Sequence, residues 1–308
     1  MRRGFVYFLI AVGIGLVYAL YSCSTLISLL FEDVSRDLIP KAEVELEQAP
    51  EYGNRPALIP KIIHQTYKTA EIPDRWKLPT QEIRDKHPDY EYKLWTDESA
   101  RAFIEKEYSW FLDTFDGYDH PIMRADVIRY FVLRKFGGVY IDMDVGCKRP
   151  LDPLLAYPAW ARKTEPTGIS NDVMGAVPEH PFFVRVTESL QSYDRHWVLP
   201  YITIMASTGP LFLSIIWKKW TGIDLDENAR VRILMMPEQQ HNDWSFFRVY
   251  RGSSWHTQDA QTIFWMRQHV PHLVIGGFAL AGIIGYTVYW IIHRPQGYKQ
   301  VDKGTYDA

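Results

Sequence analysis

The sequence predicts one α/β domain that is tethered to a membrane by an apolar segment at each end of the chain. Two long runs without charged residues lie near the ends, at 4–31 and 273–292. Between them, short β-rich runs alternate with segments of helical periodicity, the pattern of a Rossmann-like nucleotide-binding sheet. The formal net charge of −3 argues against non-specific binding to nucleic acid.

The first apolar run predicts an uncleaved membrane anchor. As a helix, its 28 residues would be ~42 Å long, enough to cross an apolar core of ~30 Å. Arg2 and Arg3 precede it, which favours a cytoplasmic N-terminus. A cleaved signal peptide is the alternative, but its apolar region would be shorter.

The second run predicts a transmembrane helix over 271–292. Its glycines suit a membrane helix, and small residues along one side would admit a neighbouring helix, with ordinary lipid-facing sequence as the alternative. Basic residues follow, so we expect this end in the cytoplasm too. The predicted divisions are a short cytoplasmic start, the anchor, an acidic stem, a lumenal domain, the second span and a cytoplasmic tail, at 1–3, 4–31, 32–57, 58–270, 271–292 and 293–308.

A third uncharged stretch covers residues 197–217. Proline and glycine interrupt it, so we interpret it as a buried strand or loop followed by a core helix. Ser207 and Thr208 resemble a helix N-cap ahead of Pro210. Contact with the membrane surface is the alternative for this stretch.

Residues 58–64 and 92–95 are predicted as the first two strands of the sheet. Ligands of open α/β sheets bind beyond the carboxyl ends of the strands, which places His64, Gln65 and Tyr67 at the crevice. A core histidine with satisfied hydrogen bonds is the equal alternative for His64. The indole of Trp95 is interpreted as core rather than as a stacking surface.

A helix over 124–133 and a strand over 139–141 precede the most informative motif of the chain. Gly137 and Gly138 are predicted to end that helix. Asp142 and Asp144 then follow the strand, and side chains at i and i+2 of a strand point the same way. Both carboxylates would face one Mg²⁺ or Mn²⁺, which prefer oxygen ligands. Two surface aspartates in a turn are the alternative.

These segments resemble the Asp-x-Asp glycosyltransferases of the GT-A fold, among them the fungal α-mannosyltransferases. The resemblance rests on RADVIRYFVLRKFGGVYIDMD at 124–144, IPKIIHQT at 59–66, YKLWTD at 92–97 and GSSWH at 252–256. It spans roughly residues 58 to 260. Within this group, the chain is most similar to the catalytic subunits of the fungal enzymes that mannosylate inositol phosphorylceramide.

The resemblance implies roles for particular residues. Asp126 and Arg129 match positions that contact the donor sugar and its phosphates, although an ion pair on the helix surface is the alternative. Asn171 and Asp172 would line the sugar pocket, with turn formation as their alternative. The remaining candidates for the donor and metal sites are His64, Gln65, Tyr67, Arg124, Trp255 and His256, of which His256 would be the third metal ligand beside Asp142 and Asp144.

The resemblance also implies a reaction and a setting. A retaining, metal-dependent transferase would move mannose from GDP-mannose to the inositol of inositol phosphorylceramide, with Mn²⁺ (or Mg²⁺) as cofactor. Its setting would be a Golgi membrane, with a membrane regulatory subunit as partner. The alternatives are a Golgi α-mannosyltransferase that acts on N-linked glycans and a non-catalytic subunit that retains the fold.

Overall fold

A computed structural model describes residues 2–44, 55–223, 226–234, 245–250 and 258–293. The chain forms two compact units, Met1–Trp255 and His256–Ala308. The first unit contains the sheet and nearly all of the predicted site. The domain boundary that we predicted at residue 270 stays a prediction.

The helices of the first unit are α1 (Arg2–Ser22), α2 (Ser24–Leu29), α3 (Lys41–Val44), α4 (Asp74–Lys86), α5 (Asp97–Glu107), α6 (Leu112–Gly117), α7 (Pro121–Phe136), α8 (Pro181–Tyr193), α9 (Pro200–Ser207) and α10 (Pro210–Thr221). Its strands are β1 (Ile62–Thr66), β2 (Glu91–Trp95), β3 (Gly138–Ile141), β4 (Val145–Cys147), β5 (Ala159–Lys163), β6 (Ile169–Ala176), β7 (Arg232–Leu234) and β8 (Phe247–Val249).

In the described part of the chain, six strands form a mixed sheet in the order β2-β1-β3-β6-β5-β7. Strand β1 lies parallel to β2 and β3, whereas β6 runs antiparallel to β3 and β5. A separate ribbon pairs β4 with β8. The predicted α/β class is confirmed, and the parallel strands bring their carboxyl ends to one edge, where ligands of such sheets bind.

Strand β3 is buried on both faces of the sheet. Tyr140 belongs to one hydrophobic cluster, while Val139 and Ile141 belong to the other. This division follows from the alternation of side chains along a strand. The end of β3 is therefore fixed from both sides, and the functional turn that follows begins from a rigid position.

Glycines end helix α7 where the sequence predicted. Gly137 has a φ of 63° and Gly138 a φ of 91°, values that favour glycine. A Cβ atom on Gly138 would lie 2.6 Å from the carbonyl oxygen of Ile62. Glycine therefore permits both the turn of the chain and the close approach of β3 to β1.

The apolar run at 4–31 forms two helices instead of the single helix that we expected. Helix α1 has 21 residues and is therefore ~32 Å long, close to the apolar core of a bilayer. Its described apolar side chains are largely exposed, as Val17 and Tyr18 illustrate. Helix α2, after Cys23, instead packs against α10 and buries Leu29.

The structure differs from the solvated stem that the acidic composition predicts over 32–57. Ile39 donates its N–H to the carbonyl oxygen of Ile233 at 2.9 Å, and Ile233 donates its N–H to the carbonyl oxygen of Asp37 at 2.8 Å. Ile39 and Val44 are buried. The described part of this segment therefore packs along β7, because its scattered apolar residues find core positions that the composition does not reveal.

The stretch at 197–217 lies mainly in the core. It forms α9 and α10, so the predicted core helix is present, but a helix replaces the predicted strand or loop before it. Gly209 occupies the N-cap position of α10, with Pro210 at its first turn, so the predicted cap on Ser207 and Thr208 is wrong.

The second unit contains α11 (Gln258–Gln268) and α12 (Val270–His293). Besides α1, two stretches of the described chain are long and apolar enough to cross a membrane. One is Pro200–Thr221, which is about half buried, and the other is Val270–Ile291, which is not buried. The first is already covered by protein, so the second agrees better with the predicted span at 271–292.

Candidate active site

The aspartate pair lies in the turn that joins β3 to β4. Asp142 donates its N–H to the carbonyl oxygen of Asp172 at 2.8 Å, and Val145 donates to the carbonyl oxygen of Asp142 at 3.0 Å. Met143, between the two aspartates, is buried. The turn, rather than the strand geometry that we expected, leaves both carboxylates half-buried beside each other.

Negative charge is concentrated at this turn. Burial and the charges of Asp142 and Asp172 raise the pKa of Asp144 to about 7. Burial also raises the pKa of Asp142, against the lowering effect of Arg129. A bound cation would stabilise the ionised carboxylates, because an opposite charge nearby favours the charged form.

Arg129 connects the aspartate turn to helix α7. Its Nη2 lies 3.0 Å from Asp126, its Nη1 lies 3.2 Å from Asp142, and the same Nη1 donates to the carbonyl oxygen of Asn171 at 2.7 Å. Only 4% of its side chain is exposed. The i,i+3 ion pair with Asp126 therefore exists, but it is buried in the site instead of lying on a helix surface.

Asp126 is the second centre of hydrogen bonding. Asn171 Nδ2 donates to its Oδ1 at 3.0 Å, and Thr208 Oγ1 donates to its Oδ2 at 3.1 Å. Tyr130 contacts the same two partners, Asn171 and Thr208. Its hydroxyl donates to the Thr208 carbonyl oxygen at 2.7 Å and lies 3.1 Å from Asn171 Nδ2. Burial raises the pKa of Asp126 to about 6, while Arg129 opposes that rise.

Asp172 extends the site onto strand β6. Its Oδ2 forms an ion pair with Arg162 of the adjacent strand β5. Its Oδ1 is buried and has no hydrogen-bond partner within the described residues. One carboxylate oxygen of Asp172 is thus paired with Arg162, and the other can accept a hydrogen bond from a hydroxyl group.

His64 lies in the core beside the site. Trp95 Nε1 donates to its Nδ1 at 3.1 Å, so its Nε2 carries the proton and donates to the Gly137 carbonyl oxygen at 2.9 Å. Burial lowers the pKa of His64 to about 4. Both ring nitrogens are engaged by protein, and this geometry matches the core alternative; donor contact by His64 stays a prediction.

The other crevice candidates differ in exposure, since Gln65 is fully buried, like His64. Gln65 accepts from the Tyr92 hydroxyl at 2.8 Å and donates to the carbonyl oxygen of Asp142 at 3.3 Å. Tyr67 is partly exposed. Arg124 donates to the Tyr118 carbonyl oxygen at 2.8 Å and is also partly exposed. Of the three, Gln65 contacts the aspartate turn, and the contacts of all three with a donor stay predictions.

The two remaining candidates, Trp255 and His256, lie outside the described residues. The chain before them contacts the turn that carries Asp142 and Asp144, since Tyr250 donates its N–H to the carbonyl oxygen of Asp144 at 2.7 Å. Strand β8 pairs with β4 immediately ahead of that contact. His256 as a metal ligand stays a prediction.

Comparisons with known proteins identify the family of the chain. The family described as "Glycosyltransferase sugar-binding region containing DXD motif" matches residues 73–160. Mannosyl phosphorylinositol ceramide synthase SUR1 of Saccharomyces cerevisiae is 50% identical over 271 residues, which cover 88% of this chain and 70% of that protein. The chain belongs to the mannosyl phosphorylinositol ceramide synthase family.

A second member of this synthase family has a related name. Inositol phosphoceramide mannosyltransferase 3 of Schizosaccharomyces pombe is 47% identical over 268 residues, covering 87% of this chain and 75% of that protein. The solved PaToxG glycosyltransferase aligns with a TM-score of 0.41 at 16% identity, over 54% of this chain and 72% of that one. The predicted family and the predicted class of enzyme, a glycosyltransferase, are confirmed.

Glycosyltransferases with this motif generally use a nucleotide sugar and a divalent cation. In this synthase-family chain, Asp142 bonds to Arg129 and Tyr140, whereas no described side chain bonds to the Asp144 carboxylate. No group of three or more candidate ligands occurs within the described ranges. The residues therefore fit a cation held mainly through Asp144, with Asp142 second and the third position to be filled from elsewhere.

Sequence reasoning missed part of the synthase-family site. Tyr130 and Tyr140 lie inside the recognised motif, but tyrosines in a buried helix or strand are indistinguishable from core. Tyr140 donates its hydroxyl to Asp142 Oδ1 at 2.7 Å. Thr208 and Arg162 belong to segments far from the motif, and no local pattern marks either of them.

Proposed function

We propose that this protein transfers mannose from GDP-mannose to the inositol of inositol phosphorylceramide, forming mannosyl-inositol phosphorylceramide. The observation that carries the proposal is the buried Asp126–Arg129–Asp142 network beside Asp144. It occurs in a chain that is similar along 88% of its length to a protein named mannosyl phosphorylinositol ceramide synthase.

Donor binding would centre on a Mn²⁺ (or Mg²⁺) ion held by Asp144, Asp142 and His256. When bound, the cation neutralises the donor diphosphate and assists its departure as a Lewis acid. The hydroxyl of Tyr140 and the guanidinium of Arg129 fix the Asp142 carboxylate in one orientation. The nucleotide would lie along the β1 edge of the sheet, within reach of Gln65, Tyr67, Arg124, Trp255 and the neighbourhood of His64.

The sugar would be oriented by carboxylates and an amide. The Oδ1 atom of Asp172 lacks a partner among the described residues and suits a sugar hydroxyl. Asp126 bonds to Asn171 and Thr208, and an ionised carboxylate has lone pairs for a further donor. Protein groups already contact all three guanidinium nitrogens of Arg129, so its proposed role is to hold Asp126 and Asp142 charged and in place.

The proposed stereochemistry is retention. No described side chain is identified as a covalent nucleophile, and none is needed if the acceptor hydroxyl attacks from the face that the diphosphate leaves. The pocket would then contribute by holding the acceptor hydroxyl close to the anomeric carbon, an effect of proximity and orientation.

We propose a Golgi membrane as the setting, with both termini in the cytoplasm and the catalytic domain in the lumen. The flanks of the apolar segments support this orientation. The glycines of α12, such as Gly277 and Gly285, have no neighbouring atoms within 4 Å of an added Cβ. This side of the helix would suit a membrane regulatory subunit.

The test is mass spectrometry of sphingolipids from cells in which Asp144→Ala is the only copy of the gene. We expect inositol phosphorylceramide to accumulate and its mannosylated product to disappear. Asp113→Ala is the matched control, because Asp113 is an exposed aspartate on α6 outside the site. Unchanged sphingolipids with shortened glycoprotein glycans would refute the proposed acceptor and favour the N-glycan enzyme.

A further inference from the structure

The end of the N-terminal anchor is fastened to the glycosyltransferase unit by a set of buried contacts that we term the clamp, comprising Leu29, Glu32, Thr167 and Gly168. Leu29 is 1% exposed, and its carbonyl oxygen accepts from Thr167 Oγ1. Gly168 donates its N–H to Glu32 Oε1 at 2.9 Å, and Lys163 Nζ lies 3.5 Å from the same oxygen. The Glu32 side chain is 4% exposed. The connection between anchor and unit is therefore a packed joint.

The clamp lies close to the sugar pocket. Gly168 directly precedes strand β6, and Asn171 of the site follows three residues later. At ~3.3 Å per residue in a strand, the Cα atoms of Gly168 and Asn171 are at most ~10 Å apart. Ser214 of α10 also holds the start of β6, since Ile169 donates its N–H to Ser214 Oγ at 3.0 Å. Strand β6 thus connects the clamp rigidly to the pocket.

An exposed apolar face adjoins the clamp and consists of Leu30, Phe31 and Ile223. Phe31 is 81% exposed and Ile223 is 59% exposed. Both line a cavity of about 360 Å³ at the end of α10. Along the chain, α2 lies between α1 and this face; its Leu26 and Ile27 are each 40% exposed, and the described apolar side chains of α1 are also exposed. A water-exposed apolar cluster of this kind, joined through α2 to an apolar helix of 21 residues, indicates contact with lipid.

Charges beside the face suit a bilayer surface. Arg36 and Lys218 line the same cavity, together with Asp33 and Asp37. Asp37 is neutralised by Arg230, whose Nη1 lies 3.0 Å from it. The other charged side chains of the lining, Asp33, Arg36 and Lys218, carry a net charge of +1, so cationic groups are available to lipid phosphates.

We propose that the face formed by Leu30, Phe31 and Ile223 rests on the bilayer surface, and that the clamp and strand β6 thereby hold the sugar pocket at a fixed height above the lipid head groups. The inference about height rests on the proposed function, because it concerns an acceptor that is a membrane lipid. The inference about bilayer contact does not depend on the acceptor.

The contact is tested with fluorescent labels on the full chain in phosphatidylcholine vesicles. Ile223→Cys and Leu78→Cys are each made in a Cys23→Ser background, since Cys147 is buried. Leu78 is 59% exposed, the same as Ile223, so it is a matched control outside the cavity lining. We expect nitroxide-labelled lipid to quench the label at 223 several-fold more than the label at 78, and aqueous iodide to do the reverse.

Equal quenching of both labels by iodide would overturn the proposal. A label at 223 that is shielded from iodide but not quenched by nitroxide lipid would overturn it too, because protein rather than lipid would then cover the face. Neither result depends on catalysis, so the measurement remains valid even if the proposed acceptor is wrong.

The height is tested with Glu32→Ala and Glu32→Gln. The first loses the acceptor for Gly168, whereas the second keeps a carbonyl oxygen there. We expect Glu32→Ala to lower mannosyl transfer to vesicle-embedded inositol phosphorylceramide about tenfold, the scale of one buried hydrogen bond. Slow hydrolysis of GDP-mannose without acceptor should stay unchanged, and Glu32→Gln should restore most of the transfer.

A parallel fall in donor hydrolysis would show a merely structural role for Glu32 and would overturn the inference about height. Unchanged transfer by Glu32→Ala would overturn it as well. If the unmodified protein does not mannosylate inositol phosphorylceramide at all, the proposed function fails, while the labelling result still decides whether the face contacts the bilayer.

Discussion

Replacement of Arg129 by methionine should be among the most damaging single changes in this protein. The guanidinium contacts Asp126 and Asp142 at 3.0 and 3.2 Å and is almost completely buried. Arg129→Met leaves two carboxylates inside the fold without their cation. Removing one partner of a buried ion pair costs about 3–5 kcal/mol of folding free energy. For a domain of this size, that loss lowers Tm by about 6–20 °C.

The same geometry predicts strong coupling between Arg129 and Asp126. Asp126→Asn alone also destabilises the fold, because the buried guanidinium of Arg129 then loses one of its two negatively charged partners. The double variant removes both charges, so its cost should fall short of the sum of the single costs by about 1–3 kcal/mol. The remaining cost reflects Asp142, which still lacks a cation in the double variant.

Thermal unfolding of the detergent-solubilised full chain, followed by tryptophan fluorescence, measures these effects. Arg101→Met is the control, since Arg101 forms a two-point ion pair with Asp116 on the surface, at 2.7 and 3.0 Å. Such exposed pairs contribute about 0–1 kcal/mol. A Tm change for Arg129→Met no larger than that for Arg101→Met would refute the reasoning, as would strictly additive effects in the double variant.

Three further predictions follow from the cited geometry. The pKa of His64 is about 4 in the fold and about 6.5 when unfolded. Neutral His64 therefore stabilises the fold above pH 6.5, and about 3 kcal/mol of this free energy of unfolding is lost as the pH falls to 4. His64→Gln should flatten this part of the pH–stability profile, measured by denaturant unfolding. The pKa of Asp144 is about 7, so Mn²⁺ affinity measured by calorimetry should rise with pH up to about 7, and Asp144→Asn should abolish that rise. Gly138→Ala places a Cβ 2.6 Å from the Ile62 carbonyl oxygen at a φ of 91° and should destabilise the fold strongly, whereas Gly117→Ala, with nothing within 4 Å, should leave Tm nearly unchanged.

Local patterns were sufficient for the elements around the motif. Helix α7, the glycine turn and strand β3 are each specified by residues close together in the sequence. The signals are apolar periodicity for the helix, glycines for the turn with positive φ, and β-branched residues for the strand. The positions of Arg129 and Asp126 one helical turn apart also follow from that periodicity. What the sequence could not give was their burial, which depends on the packing of β6 and α9 around them.

The missing parts of the site come from distant segments. Thr208 reaches Asp126 across 82 positions of the chain, and Gly168 reaches Glu32 across 136. No periodicity connects such residues, so the acidic segment after the anchor resembled a solvated stem. Its apolar residues, such as Ile39 and Val44, were too sparse to predict a core role, yet their burial fixes the segment along β7.

The site contains more carboxylates than guanidiniums, and this excess of negative charge favours the binding of a cation. Asp126, Asp142, Asp144 and Asp172 carry four carboxylates, while Arg129 and Arg162 supply two guanidiniums within the described part of the site. When all are ionised, this cluster has a net charge of −2, which one divalent cation would balance. A donor diphosphate entering without a cation would meet repulsion at the turn, whereas a cation bound there would attract it. Burial raises the pKa of Asp144, and the charges of Asp142 and Asp172 raise it further, so a cation bound at this turn would lower the pKa.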